Sequence, residues 1–281
     1  KSGHSVIMEN HDQIKLIALD IDGTIMKKDF SISDTVRSTI KKAIDSDVKV
    51  VLATGRMYSA TVPIANELGI QTPLITYQGA LVRNFYNSDE ILLHHTIDAD
   101  LFCQVISDIR NFQAQINVYL DDELFVEDEK AILKEYAVKR HIVYHKVNSF
   151  DKVAAFNPTK IIAMDDDVKK VDTIRDKLKK KYENSLYVTK STPFYCEFVN
   201  KKASKGNAIL FLAKKWGIKQ SEIMVIGDQD NDKEMLSVAG LAVAMGNSTD
   251  GLKEIADFIT DTVDNDGAAA AIEKFVFNKG M

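Results

Sequence analysis

The chain has 281 residues, a length that suggests two domains or one large one, and 45% of the residues are hydrophobic against 27% charged. The formal net charge of −5 gives no support for binding to nucleic acid or to an anionic membrane. The sequence shows no apolar run long enough for a transmembrane helix, no secretory signal pattern, and only two cysteines, too few for a disulfide framework. These features predict a cytoplasmic protein. Residues 1–11 are expected to be a tail that is disordered or was added for expression, with Met8 as the natural start.

Short and almost continuous apolar runs recur along the chain, a pattern typical of parallel strands buried on both faces. A helical pattern over residues 33–44 begins with Ser33 as an N-cap, and another over residues 208–216 is ended by Gly217. The alternation of strands and helices predicts a doubly wound, Rossmann-like α/β core with a parallel sheet. The predicted strands are residues 16–19, 48–53, 73–77, 223–226 and 241–245.

The middle of the chain has a different pattern, because apolar and polar residues alternate at 115–120 and again at 194–199. Alternation of this kind indicates half-exposed antiparallel strands. Helical patterns separate these stretches, at residues 99–112, 131–139 and 168–183. We therefore expect an inserted α+β domain at residues 84–192, with the core domain formed by residues 12–83 and 193–281.

The segment Asp20-Ile21-Asp22-Gly23-Thr24 follows the first predicted strand. Two carboxylates at a strand tip repel each other and are partly desolvated, a cost that a divalent cation removes. Gly23 permits a left-handed backbone or a close approach of another group. An ordinary acidic turn is the alternative interpretation of this segment alone.

Two further segments offer groups that bind phosphate. Thr54, followed by Gly55 and Arg56, stands at the tip of the second predicted strand, where its hydroxyl could donate to a phosphate oxygen. Lys205 stands at the start of a predicted helix, where its charge opposes the helix dipole unless an anion compensates. Each signal is weak alone, since a glycine turn and a surface lysine are common.

The segment Gly227-Asp228-Gln229-Asp230-Asn231-Asp232 places three carboxylates in five residues after another predicted strand. Oxygen ligands without histidine or cysteine indicate a hard cation. The EF-hand alternative fails, because the positions that require glycine and glutamate hold Lys233 and Ala239.

Together, these four segments in this order resemble the motifs of the haloacid dehalogenase superfamily, and their spelling resembles its Cof-type branch, subfamily IIB. The segment Asp264-Asn265-Asp266-Gly267 resembles the closing signature of the same family. The resemblance implies a magnesium-dependent phosphatase that acts on small phosphorylated metabolites, mostly sugar phosphates.

The resemblance also implies roles for individual residues. Asp20 would be the nucleophile that carries an aspartyl-phosphate, and Asp22 the general acid and base, with a raised pKa expected in the substrate complex. The implied phosphate-binding residues are Ile21, Thr54, Gly55, Lys205 and Asn231. The implied ligands of Mg²⁺ are Asp20, the backbone carbonyl of Asp22, Asp228 and Asp232.

Spacing indicates where a cap domain fits. Only 34 positions separate Asp20 from Thr54, whereas 151 separate Thr54 from Lys205, far more than the roughly 60 that two βα units require. The insert therefore lies between the second and third motifs, as in subfamily IIB. Gln78 departs from the asparagine frequent in relatives, and Glu197 is interpreted either as facing the crevice or as a rim carboxylate.

Alternative functions are a phosphomutase and a non-catalytic sugar-phosphate sensor. The cap position argues against the first, and the presence of all the motif residues argues against the second. The expected partner is a small phosphate ester, with neither nucleic acid nor membrane, and the expected state is a monomer or homodimer.

Overall fold

The computed structural model describes residues 13–278, so the predicted tail at residues 1–11 lies outside the described part. No helix within these residues combines the length and the apolar character needed to cross a membrane. The strands are β1 (Leu16–Leu19), β2 (Lys49–Leu52), β3 (Leu74–Thr76), β4 (Leu81–Arg83), β5 (Ile91–His94), β6 (Gln115–Leu120), β7 (Glu123–Val126), β8 (Tyr144–Lys146), β9 (Lys160–Met164), β10 (Leu186–Thr192), β11 (Tyr195–Asn200), β12 (Ile223–Gly227), β13 (Leu241–Ala244) and β14 (Phe258–Ile259).

The helices occupy most of the connections between these strands. They are α1 (Asp34–Asp45), α2 (Tyr58–Glu67), α3 (Ala99–Arg110), α4 (Ala131–Arg140), α5 (Asp151–Ala154), α6 (Val168–Lys181), α7 (Lys205–Lys215), α8 (Lys233–Ser237), α9 (Asp250–Lys253) and α10 (Gly267–Ile272). Ser33 caps α1, as its position in the sequence predicts, and accepts a hydrogen bond from the backbone N–H of Val36.

A five-stranded parallel sheet in the order β14-β13-β12-β1-β2 forms the core. The chain leaves β1 toward β2 on one side and returns to β12 on the other, so the strand order reverses between β1 and β12. The four side chains of β1 are at most 1% exposed, because helices cover both faces of the sheet. The predicted α/β core is therefore confirmed, and its switch point lies where ligands bind in such sheets.

The predicted strand at residues 73–77 does not join this sheet as a full member. β3 pairs with β4, which pairs with β5, in a small antiparallel sheet, and a single parallel bridge between Ala53 and Ile75 connects this sheet to the core. The chain therefore turns away from the core sheet here, toward the inserted domain.

The inserted domain contains a six-stranded sheet in the order β10-β11-β9-β6-β7-β8, in which all pairs except β7 with β8 are antiparallel. A separate cluster of buried apolar side chains between residues 97 and 198 gives it a hydrophobic core of its own. Strand β11 belongs to this sheet, although the predicted boundary at residue 193 assigns it to the core domain. The boundary fails there because β11 pairs with β10 across a short turn and with β9 on its other side.

Candidate active site

The tips of three core strands meet at one edge of the sheet, as the sequence predicts. Asp20 and Asp22 follow β1, Thr54 follows β2, and Asp228 follows β12. Asp20, Asp22 and Thr54 line one cavity between the core and the inserted domain. Gly23 has a φ of +81°, and a Cβ built there would lie 2.4 Å from the Asp228 Oδ2 atom. A glycine at this position therefore lets Asp228 approach the loop after β1.

A cluster of carboxylates lies beneath this cavity. Asp20, Asp228 and Asp232 are all buried, and one oxygen of each lies within 4.8 Å of the others. The Lys205 Nζ atom donates to the Oδ1 atoms of Asp20 and Asp232, both at 2.7 Å. Lys205 opens α7, with Ser204 as N-cap, so these carboxylates provide the compensation that its unfavourable position requires.

Burial and mutual repulsion raise the pKa values of two carboxylates in this cluster, Asp20 and Asp228. Burial, together with the charge of Asp232, raises the pKa of Asp228 to about 7. Burial raises the pKa of Asp20 well above its usual range, and the charges of Asp232 and Asp228 add to this shift, although Lys205 opposes it. Three carboxylates share one ammonium group, and all their donor atoms are oxygens. The cluster therefore fits a hard divalent cation, which would remove the repulsion.

Asp22 lies apart from the carboxylate cluster and forms a bidentate ion pair with Arg56. Arg56 Nε donates to Asp22 Oδ2 at 2.8 Å, and an Arg56 terminal nitrogen (Nη2) donates to Asp22 Oδ1 at 2.6 Å. Burial would raise the pKa of Asp22, but the hydrogen bonds and charge of Arg56, with Arg140 as a further cation, lower it below its usual value. The pKa of Asp22 is therefore not raised in the protein alone, whereas the sequence predicts a raised pKa in the substrate complex. Arg56 belongs to the second sequence motif, but no feature of the sequence predicted its ion pair with Asp22.

The remaining predicted phosphate-binding residues surround the same cavity. Thr54, Gly55 and Asn231 line it, and the Thr54 hydroxyl oxygen accepts a hydrogen bond from the backbone N–H of Arg56 at 3.1 Å. The Ile21 side chain is buried in the core, so its backbone is the part that can face a ligand. Asn231 donates to Gln78 Oε1 at 3.1 Å, whereas its own Oδ1 atom is buried without a partner among residues 13–278.

Lys160 and Glu197 form a buried ion pair that the sequence did not predict. The Lys160 Nζ atom donates to Glu197 Oε2 at 3.2 Å and to the backbone carbonyl of Gly55 at 2.6 Å, which links the inserted domain to the core. Glu197 also accepts from Gln78 at 3.1 Å and from Ser191. Burial would raise the pKa of Glu197, but Lys160, Ser191 and Gln78 together lower it. Glu197 lines the cavity and is only 3% exposed, so it is not a rim carboxylate.

The inserted domain covers the cavity with a polar and aromatic wall. Tyr136 and Arg140 of α4, Ser191 and Thr192 of β10, and Tyr195 of β11 contribute to it. These side chains line the same cavity as Asp20 and Thr54. The arrangement can hold a small anion at the strand tips and the group attached to it beneath the wall.

Comparisons with known proteins agree with the geometry. A family model described as haloacid dehalogenase-like hydrolase matches residues 17–272. The Bacillus subtilis (strain 168) protein 5-amino-6-(5-phospho-D-ribitylamino)uracil phosphatase YcsE is 34% identical, over 97% of this chain and 99% of its own. Phosphatase YwpJ of the same strain is 29% identical, over 91% of this chain and 98% of its own. A crystal structure of a haloacid dehalogenase-like hydrolase from Bacteroides thetaiotaomicron is 28% identical with a TM-score of 0.82, and covers 93% of this chain and 99% of its own.

Proposed function

Because the chain belongs to the haloacid dehalogenase-like hydrolase family and is a phosphoric monoester hydrolase, we propose that it hydrolyses small phosphorylated metabolites through an aspartyl-phosphate on Asp20. The observation that carries the proposal is the cluster of Asp20, Asp228 and Asp232 around Lys205, directly below a cavity at the strand tips. A carboxylate there can attack phosphorus only if nearby positive charge offsets the charge of the phosphate oxygens.

The proposed metal site uses the same cluster. Asp20, Asp228 and Asp232 would hold Mg²⁺, with the backbone carbonyl of Asp22 as a further ligand. The ion, when bound, neutralises charge on the phosphate oxygens and on the attacking carboxylate. Lys205 holds Asp20 Oδ1 in place and contributes a fixed positive charge.

Thr54, the backbone of Ile21 and Gly55, and Asn231 are the proposed contacts of the phosphate. Thr54 and Asn231 are buried to more than nine-tenths of their surface, so their polar atoms are shielded from bulk water. Hydrogen bonds made in such a site are stronger than in water, since the local dielectric constant is low.

Asp22 is the proposed acid that protonates the leaving oxygen and the base that then activates water. In the protein alone, Arg56 holds both oxygens of this carboxylate. The pair orients Asp22 toward the cavity while keeping it ionised. A proton can be held there only when a bound phosphate ester adds negative charge and weakens the pair with Arg56.

The proposed substrates are sugar phosphates or sugar-alcohol phosphates. Two observations support this class: the wall above the site bears hydroxyl and guanidinium groups, and one relative is described as acting on a phosphorylated ribitylamino compound. A phosphomutase and a non-catalytic sensor remain the weaker proposals, because the cap follows the second motif and no motif residue is missing.

The test is hydrolysis of an aryl phosphate by purified protein with Mg²⁺. Asp20→Asn is expected to remove activity, because the amide is not a nucleophile. Asp230→Asn is the matched control, since Asp230 belongs to the same acidic segment as Asp228 but pairs with Lys233 and lies outside the cluster. An Asp20→Asn protein that keeps more than a few percent of wild-type activity would refute the assignment of the nucleophile.

A further inference from the structure

Arg140 differs from the other cations that line the active-site cavity. Among the described residues there, Arg56 is hydrogen-bonded to Asp22 and Lys160 to Glu197. The Arg140 guanidinium donates no hydrogen bond to any residue between 13 and 278, and the carboxylate oxygen nearest to it, Asp22 Oδ2, is 3.7 Å away. That oxygen already accepts from Arg56. The hydrogen-bond donors of Arg140 are therefore available to a ligand.

The packing behind Arg140 fixes its position. The guanidinium lies over the Tyr136 ring, 5.2 Å from its centroid, and the Tyr136 hydroxyl is hydrogen-bonded to that of Tyr119 at 2.6 Å. The Tyr136 ring also packs edge-on against Tyr195, with 5.5 Å between the centroids. The Arg140 side chain is only 19% exposed. A planar cation held in this way loses little freedom when it binds an acceptor.

Building on the proposed function, we propose that Arg140 is a specificity-determining residue that binds an oxygen acceptor on the leaving group, separated from the scissile oxygen by two carbons. If Asp22 protonates the leaving oxygen, that oxygen lies within hydrogen-bond distance of the Asp22 carboxylate. Arg140 approaches the same carboxylate, so its donors reach the atoms next to the scissile oxygen. Hydroxyl and carboxylate oxygens can both accept a hydrogen bond from Arg140, and a carboxylate would in addition offset the positive charge of the guanidinium.

Adjacent residues show that the end of α4 does not need Arg140 for its stability. Lys139 is also basic, stands in the last turn of the helix, and is more than half exposed in an ion pair with Glu135. Lys139 therefore satisfies the preference of a helix C-terminus for positive charge at the surface, whereas Arg140 faces the cavity. This makes Lys139→Gln a matched control for a substitution at Arg140.

The experiment compares three small esters: phosphoglycolate, 2-hydroxyethyl phosphate and ethyl phosphate, which lacks the acceptor. The wild-type protein with Mg²⁺ is expected to favour at least one of the first two over ethyl phosphate by about 10- to 100-fold in kcat/KM, the range for a hydrogen bond to a charged group. The favoured ester shows whether Arg140 recognises a carboxylate or a hydroxyl group. Arg140→Met should bring this ratio close to one, and Arg140→Lys should give an intermediate ratio; the ratio is compared because the charge of Arg140 also acts on Asp22, which serves every ester alike.

The outcomes separate this inference from the proposed function. An Arg140→Met protein that keeps the wild-type ratio, or a wild-type protein without any preference, would overturn the role of Arg140 alone. Lys139→Gln is expected to keep the wild-type ratio, and a loss there would also overturn the assignment. If the wild-type protein hydrolyses neither these esters nor an aryl phosphate, the proposed function fails, and the assignment fails with it.

Discussion

Asp122 of the cap domain is expected to stabilise the core domain directly. It lies in the turn between β6 and β7, and its carboxylate accepts from the backbone N–H groups of Tyr58 at 2.8 Å and Ser59 at 2.7 Å. These groups begin α2, whose own N-cap residue, Met57, makes no side-chain capping bond. The Tyr77 hydroxyl donates to the same carboxylate at 2.5 Å. Asp122 therefore supplies from another domain the cap that the core sequence lacks.

Asp122→Asn removes the charge but keeps one acceptor oxygen. The NH₂ group of asparagine would then lie opposite at least one of the three groups that now donate a hydrogen bond to the carboxylate. A lost N-cap and a weakened charged hydrogen bond at this half-buried position are worth about 1–3 kcal/mol together. For a chain of this size that corresponds to a fall of about 2–5 °C in melting temperature. Asparagine tolerates the positive φ of +61° at this position, so backbone strain does not contribute.

The measurement is thermal unfolding followed by circular dichroism. Asp121→Asn is the control, because Asp121 lies in the same turn, is exposed, and also has a positive φ of +51°. The control is expected to melt at the wild-type temperature. If Asp122→Asn melted within about 1 °C of Asp121→Asn, the capping bonds would contribute little to stability, and the reasoning would be refuted.

Two further predictions concern buried charge. Asp228→Asn should raise the melting temperature of the metal-free protein, because burial and Asp232 raise the pKa of Asp228 and so disfavour its charge. The same substitution should abolish the stabilisation of the protein by Mg²⁺. Calorimetry with and without a chelator tests both effects, and unchanged stabilisation by Mg²⁺ would contradict the proposed metal site. Glu197→Gln should destabilise the protein by about 3–5 kcal/mol at neutral pH by leaving Lys160 unpaired. Since the folded pKa of Glu197 is lowered, its stabilisation is full above the unfolded pKa and is lost as the pH falls through the folded pKa. The difference from wild type should therefore shrink in acid, as urea unfolding at several pH values would show, and a constant difference would argue against the ion pair.

The sequence predicts the part of the site that depends on strand ends. Apolar runs identify β1, β2 and β12, and the carboxyl ends of parallel strands lie at one edge of a sheet. The polar residues that follow them must therefore meet, whatever the details of the turns. Asp20, Thr54 and Asp228 do meet at this edge. Lys205 could be linked to the same edge because a lysine at a helix N-terminus needs an anion near it.

The contacts between the two domains could not be predicted from local pattern. Lys160 lies in a buried strand and is 105 positions away from Gly55, whose carbonyl it binds, and Gln78 is 119 positions from Glu197. Periodicity indicates which face of an element is apolar, but it contains no information about which polar group of a distant element will lie opposite. The predicted boundary before β11 is wrong for a related reason, since the alternating pattern indicates an antiparallel strand but does not indicate which strands it pairs with.

The same contacts give the cap a part in positioning the proposed catalytic groups as well as in covering them. Lys160 holds the carbonyl of Gly55, beside Thr54, and Asp122 holds the start of α2, two residues after Arg56. Arg56 in turn orients Asp22. A displacement of the cap would therefore move the turn at Gly55 and the pair of Asp22 and Arg56 together. For this reason, the geometry of the site is a property of the two docked domains, and the motifs in the core are insufficient to define it.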